Sequence, residues 1–133
     1  MTTTSTQNYL KAVRELRSIN ERVTTGALAR RVNVASASAT NMLKRLAAVG
    51  FLDYRPHRGV TLTELGEREA AAVLHRHEIV ERYLVAILGF AGAQAHAEAE
   101  KLEHAVSMDL VRRMSDAISA TSAVTESDAH VCQ

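Results

Sequence analysis

The chain has 133 residues, 47% of them hydrophobic, with one proline and six glycines. That suits one compact, mostly helical domain, or two small modules sharing a core. The net charge of +1 conceals a partition: residues 1–62 carry ten Lys/Arg against three acids, a net of +7, and residues 63–133 carry six against twelve, a net of −6.

A basic half suits phosphates, whereas an acidic half that holds five of the six histidines suits a divalent metal. Cys132 has no partner cysteine, which excludes an internal disulfide and suits a reducing compartment. No basic-then-apolar leader opens the sequence, and no apolar run approaches the roughly 20 residues of a membrane helix. A soluble, cytoplasmic protein is expected.

In chain order, Thr4–Thr6 can cap a first helix over 7–20, with Tyr9, Leu10, Val13, Leu16 and Ile19 on one face. Thr24 and Thr25 cap a short helix, Gly26–Val32. A tight turn, Asn33–Ala35, leads to a third helix capped by Ser36 and running to about Val49, where Gly50 is a C-terminal stop signal. Phe51–Tyr54 and Gly59–Leu62 read as strands around Arg55, Pro56, His57 and Arg58, a small basic hairpin. Thr63 caps a long helix from Glu64 to about Leu88, stopped by Gly89. Its apolar positions, among them Val80, Leu84, Ile87 and Leu88, exceed one thin layer, so part of that surface is expected to meet a second copy. A fifth helix is expected over Ala93–Val106, and a sixth, capped by Ser107, over Met108–Ile118. From Ala120 the periodicity ends. The expected fold is mainly α: an N-terminal winged helix-turn-helix (1–63), a helical dimerisation and metal-binding domain (64–119) and a flexible tail (120–133).

In a helix-turn-helix the second helix enters the major groove and shows its N-terminal residues to base edges. Those residues are Ser36, Ala37, Ser38, Thr40 and Asn41. Small hydroxyl and amide side chains permit close approach, and Asn can read adenine through a bidentate pair. Lys44, Arg45, Arg55 and Arg58 are placed to hold phosphates, and Thr25, opening the preceding helix, joins this DNA-facing set. The plainer alternative is a three-helix unit whose basic residues only solvate it.

In the acidic half, His96, Glu100, Glu103 and His104 fall within about a 100° arc of one helix, and His77 and Glu81 form an i, i+4 pair on the helix before. Packed antiparallel, two such helices can converge these side chains into one or two sites of nitrogen and oxygen donors. Without a thiol, Mn²⁺, Fe²⁺ or Zn²⁺ suits the set. The alternative for each residue is an ordinary solvated face, as expected for His75 and Glu98. His77 and Glu78 begin a zinc-protease-like pattern, but Glu81 stands where its second histidine would be.

Together these segments resemble the DtxR/MntR family of metalloregulators. The stretches that carry the resemblance are Gln7–Val13, Leu43–Ala47, Arg58–Thr63, His77–Leu84 and Glu100–Ser107, in order over roughly residues 5–118. The length is similar to the short, two-domain, manganese-responsive branch, with no room for an SH3-like third domain. The resemblance implies a homodimer that binds a palindromic operator in double-stranded DNA when loaded with metal, and represses metal-uptake genes. It implies that Glu100, Glu103 and His104 form a primary site and His77, Glu81 and His96 an ancillary one. Glutamate at 100, where iron-responsive members carry cysteine, favours Mn²⁺ over Fe²⁺. A further ligand is implied at Asn8, where an amide oxygen replaces the family's usual Asp or Met. Lys11 stands where short manganese sensors place Glu.

Two rival readings come from the same residues. One is a winged-helix regulator sensing a non-metal ligand or redox state, with the Glu/His face as acidic surface. The other is a metallohydrolase, which lacks an obvious nucleophile, oxyanion donors and a substrate cleft. No enzymatic activity is expected.

Overall fold

The computed structural model describes residues 3–19 and 22–131, with side chains as far as residue 122; Cys132 lies outside them. The chain divides into two compact units, Met1–Val73 and Leu74–Gln133, and each is taken by itself.

The first unit holds α1 (Thr4–Ile19), α2 (Thr25–Val32), α3 (Ser36–Ala48), β1 (Leu52–Arg55), β2 (Gly59–Leu62) and the start of α4 (Glu64–Ala86). The expected caps act at α2 and α4. Thr24 accepts a bond from Ala27 N at 3.1 Å, and Thr63 Oγ1 accepts one from Gly66 N at 3.2 Å while donating to Gly50 O at 2.6 Å. Ser36 does not cap α3. It is the first helical residue, and Ala35 at the N-cap makes no side-chain bond. The α2–α3 turn is made by Asn33 in the left-handed region at φ 60°, a conformation that asparagine tolerates better than most residues.

The hairpin is antiparallel, Leu52 opposite Leu62 and Arg55 opposite Gly59, and Val23 adds an isolated bridge to Val60. Period-2 alternation buries Leu52 and Val60 on the core side. They join Leu10, Val13, Leu28, Leu43 and Leu46 in one apolar cluster. Helix α4 starts close against the chain before the hairpin: a Cβ on Gly66 would lie 1.9 Å from Phe51 O.

The second unit holds the rest of α4, α5 (Gly92–Leu102) and α6 (Met108–Val131). Val80, Leu84, Ala95 and Ala99 form its core, with Val106 and Met114 against them. Alanines on α5 let that helix approach α4 closely. Two boundaries differ from expectation. Helix α5 ends at Leu102 rather than near Val106, so Glu103 and His104 lie in the turn beyond it. Helix α6 runs to Val131 instead of stopping near Ile118: the segment after 118 lacks an apolar period, but no Gly or Pro interrupts it. Ser107 caps α6 as expected, accepting from Leu110 N at 3.1 Å. Val85, Ile87, Leu88 and Phe90 are left exposed around the α4–α5 connection. No helix among the described residues is long and apolar enough to cross a membrane.

Candidate metal centre

Helices α4 and α5 each present one turn of ligand-type side chains, His77 with Glu81 and His96 with Glu100. The i, i+4 spacing puts each pair on one helix face. His77, 11% exposed, is the hub. Its Nδ1 lies 2.8 Å from Glu103 Oε2, and its Nε2 lies 2.9 Å from Glu81 Oε2 and 3.2 Å from His96 Nδ1. The two imidazoles meet edge-on, centroids 4.8 Å apart. Glu100 Oε1 stands 3.3 Å from His96 Nε2 and 4.0 Å from His77 Nδ1.

Burial is graded across this group. The Glu103 side chain is fully buried and His104 nearly so, while Glu81 is partly exposed and Glu100 and His96 form the open rim. Glu103 faces both directions: Oε2 meets His77, and Oε1 lies 3.3 Å from His104 Nε2. A buried carboxylate is costly unless satisfied, and two imidazoles satisfy this one. Arg76, which the sequence reading passed over, donates from Nε to Glu103 O at 2.9 Å.

The donor set fits a divalent cation. Single ligand atoms of His77, His96 and Glu100 lie within 4.8 Å of one another. Two donors at about 2.1 Å from one ion can be at most roughly 4.2 Å apart, so closure requires only a small contraction. Two imidazoles with carboxylates and no thiol suit Mn²⁺, Fe²⁺ or Zn²⁺ rather than a thiophilic ion.

Of the expected ligands, His77, Glu81, His96, Glu100, Glu103 and His104 are thus brought together within the second unit. Asn8 is exposed on α1 of the first unit, and Lys11, one turn later, is buried.

The first unit presents the DNA-facing set. Ser36, Ala37, Ser38, Asn41, Lys44 and Arg45 are exposed on α3, with Thr40 partly so, while Ala39, Leu43 and Leu46 on the other face are buried. A cleft of about 620 Å³ lies between α3 and the hairpin, lined among others by Thr25, Thr40, Lys44 and Arg55. Arg22 and His57 also line it, and neither belongs to the DNA-facing set read from sequence. Their signal, a basic residue just before a helix cap and another at a hairpin tip, is visible only once the fold places them together. Arg58 is exposed on the hairpin.

Residues 1–60 match the family described as iron dependent repressor, N-terminal DNA binding domain, and residues 63–122 match iron dependent repressor, metal binding and dimerisation domain. An uncharacterised HTH-type transcriptional regulator of Methanocaldococcus jannaschii is 37% identical over 111 residues, 83% of this chain and 89% of the relative. The transcriptional regulator MntR of Salmonella typhimurium is 43% identical over 82 residues, 62% of this chain and 52% of the relative. A solved manganese-dependent transcriptional repressor in complex with manganese superposes with a TM-score of 0.78 at 37% identity. That match covers 86% of this chain and 52% of the other, so the chain spans about half the length of that repressor, as it does of MntR.

Proposed function

The chain belongs to the iron dependent repressor family, a family of metal-dependent DNA-binding repressors, and on that premise we propose that it represses transcription in response to Mn²⁺, with Fe²⁺ or Zn²⁺ as alternatives. Residues 1–63 bind double-stranded DNA, a palindromic operator, and residues 64–119 bind metal and form the homodimer. Residues 120–133 are an extension outside both tasks. The regulated genes are those of metal uptake, the protein acts in the cytoplasm, and no catalytic step is assigned to it.

The observation that carries this reading is the convergence of His77, His96 and Glu100 within 4.8 Å, with Glu81 against His77, in the unit that does not contain the basic helix and hairpin. His77, Glu81, His96, Glu100, Glu103 and His104 would hold the ion. Asn8 joins them on the strength of the sequence resemblance alone. When bound, the metal supplies positive charge that the clustered carboxylates otherwise lack. The protein's own contribution is to keep the carboxylates of Glu81, Glu100 and Glu103 facing the imidazoles of His77, His96 and His104 and partly out of water, which strengthens their pull on a cation.

On the DNA side, the exposed Ser36, Ser38 and Asn41 meet base edges, and Thr25, Lys44, Arg45, Arg55 and Arg58 hold phosphates. Metal-loaded and metal-free states differ in operator affinity only if the ion favours one of them. Operator binding measured with Mn²⁺ and with EDTA tests this: strong binding with the ion and weak binding in EDTA are expected, and equal affinity in both would overturn the reading. Asn8→Asp adds a negative donor and is expected to lower the Mn²⁺ concentration that gives half-maximal binding.

A further inference from the structure

The α4–α5 polar contacts around His77 run through side chains that would serve the ion, so metal binding must exchange them. Arg76 makes a different kind of contact. Half-buried on α4, it donates its Nε–H to the main-chain carbonyl of Glu103 at 2.9 Å, a bond that uses no ligand atom. That carbonyl belongs to the C-cap residue of α5, where the last carbonyls of a helix lose their internal partners. A guanidinium at a helix C-terminus is favourable both as hydrogen-bond donor and as positive charge.

Position makes this bond consequential. Arg76 precedes His77, the hub of the cluster, and Glu103 is the buried residue on the other side of His77. The bond therefore fixes the distance between α4 and the end of α5 beside the ring that Glu81, His96, Glu100 and Glu103 face. The carboxylates Glu81, Glu100 and Glu103 gather around this gap and repel one another while no cation is present.

We propose that Arg76 is a positioning residue of the metal centre. It holds the turn after α5 against α4 before any ion arrives, so that His77, His96 and Glu100 stay within reach of one ion. The inference rests on the metal reading above, and it assigns Arg76 no direct contact with the metal.

The test compares the wild type with Arg76→Met, which keeps much of the apolar stem without the donors, and Arg76→Lys, which keeps the charge without the planar Nε–H. Mn²⁺ affinity and stoichiometry are read by titration, and the ligand field by the visible absorption of bound Co²⁺. Arg76→Met is expected to bind Mn²⁺ about 10- to 100-fold more weakly, with the same number of ions at saturation, and Arg76→Lys to fall in between. In the metal-free protein the ring ¹⁵N shifts of His77 and His96 should move in both variants, which a role in general stability would not cause. Wild-type affinity in either folded variant would overturn the proposal, so Arg76→Lys decides it should Arg76→Met fail to fold. A lower stoichiometry at saturation would overturn it too, because positioning changes affinity and not the ligand count. If the wild type bound neither Mn²⁺ nor Co²⁺, the metal reading would fall and this inference with it, a result distinct from unchanged binding in the variants.

Discussion

Burial pushes the Tyr9 phenol above its ordinary value of 10.0, and the charge of Arg45 pulls it part of the way back. The sign of the consequence follows from linkage: the folded state holds its proton at pH values where the unfolded chain has released it. Any stability tied to the neutral phenol is therefore intact below pH 10 and is lost as pH rises through the folded value. Urea unfolding of the wild type should show a drop in stability above about pH 10, and Tyr9→Phe should remove the part due to this residue. An unchanged alkaline drop in Tyr9→Phe would assign it elsewhere. Tyr9 was legible as a core residue from its place in the apolar period of α1. The clustering of the candidate ligands His77, Glu81, His96 and Glu100 was legible for a similar reason, since i, i+4 pairs declare themselves by spacing. Arg76 was not, because it acts on a main-chain carbonyl 27 positions away. Local spacing marks a helix cap, whose backbone partner is three residues away, but it does not mark a side chain that meets a distant carbonyl. The pairing of Arg22 with His57 was not legible either, because their common cleft exists only after the hairpin closes beside α3.

At the level of elements, boundaries were set by tertiary contact more than by propensity. Apolar period and cap residues placed α2, β2 and the start of α4, because Thr24 and Thr63 satisfy helix N-termini locally. The end of α5 was misplaced, since the sequence through Glu103 and His104 is still helix-compatible. What ends the helix is the pull of buried partners, with His77 and Arg76 holding Glu103 by its carboxylate and its carbonyl. Glycine positions separate the two kinds of control. Gly66 lies inside α4, where a glycine would ordinarily weaken the helix, yet a Cβ there would meet Phe51 O at 1.9 Å. Gly66→Ala is therefore expected to destabilise the first unit by about 1–3 kcal/mol or more, a loss of roughly 5 °C in Tm per kcal/mol. Gly92 opens α5 with nothing within 4 Å of a Cβ, so Gly92→Ala should leave Tm nearly unchanged. Equal melting curves for the two variants would show that the Phe51 contact does not constrain α4.

For the whole molecule, charge partition is what divides the labour. Residues 1–62 carry a net +7, of which Arg22, Lys44, Arg45, Arg55 and Arg58 lie on or beside α3 and the hairpin, and residues 63–133 carry a net −6, of which Glu81, Glu100 and Glu103 stand among the clustered histidines. Phosphate contacts release counterions, so each one steepens the fall of affinity with salt. Arg55 and Arg58 are exposed on the hairpin of the first unit, whereas the candidate ligands from His77 to His104 belong to the second. Replacing both with alanine should weaken binding to operator and to unrelated DNA alike, and should reduce the slope of log affinity against log salt by about 2, near 1 for each phosphate lost. Mn²⁺ affinity measured without DNA should stay at its wild-type value, because these residues act on phosphates and not on the ion. Asn41→Ala should do the opposite on DNA: about 1–3 kcal/mol lost at one base pair, with the salt slope kept. Salt titrations of the two variants on the same duplexes separate these outcomes. A double arginine variant with an unchanged salt slope would mean that the hairpin does not reach the DNA backbone, leaving α3 and the N-terminus of α2 to hold the phosphates.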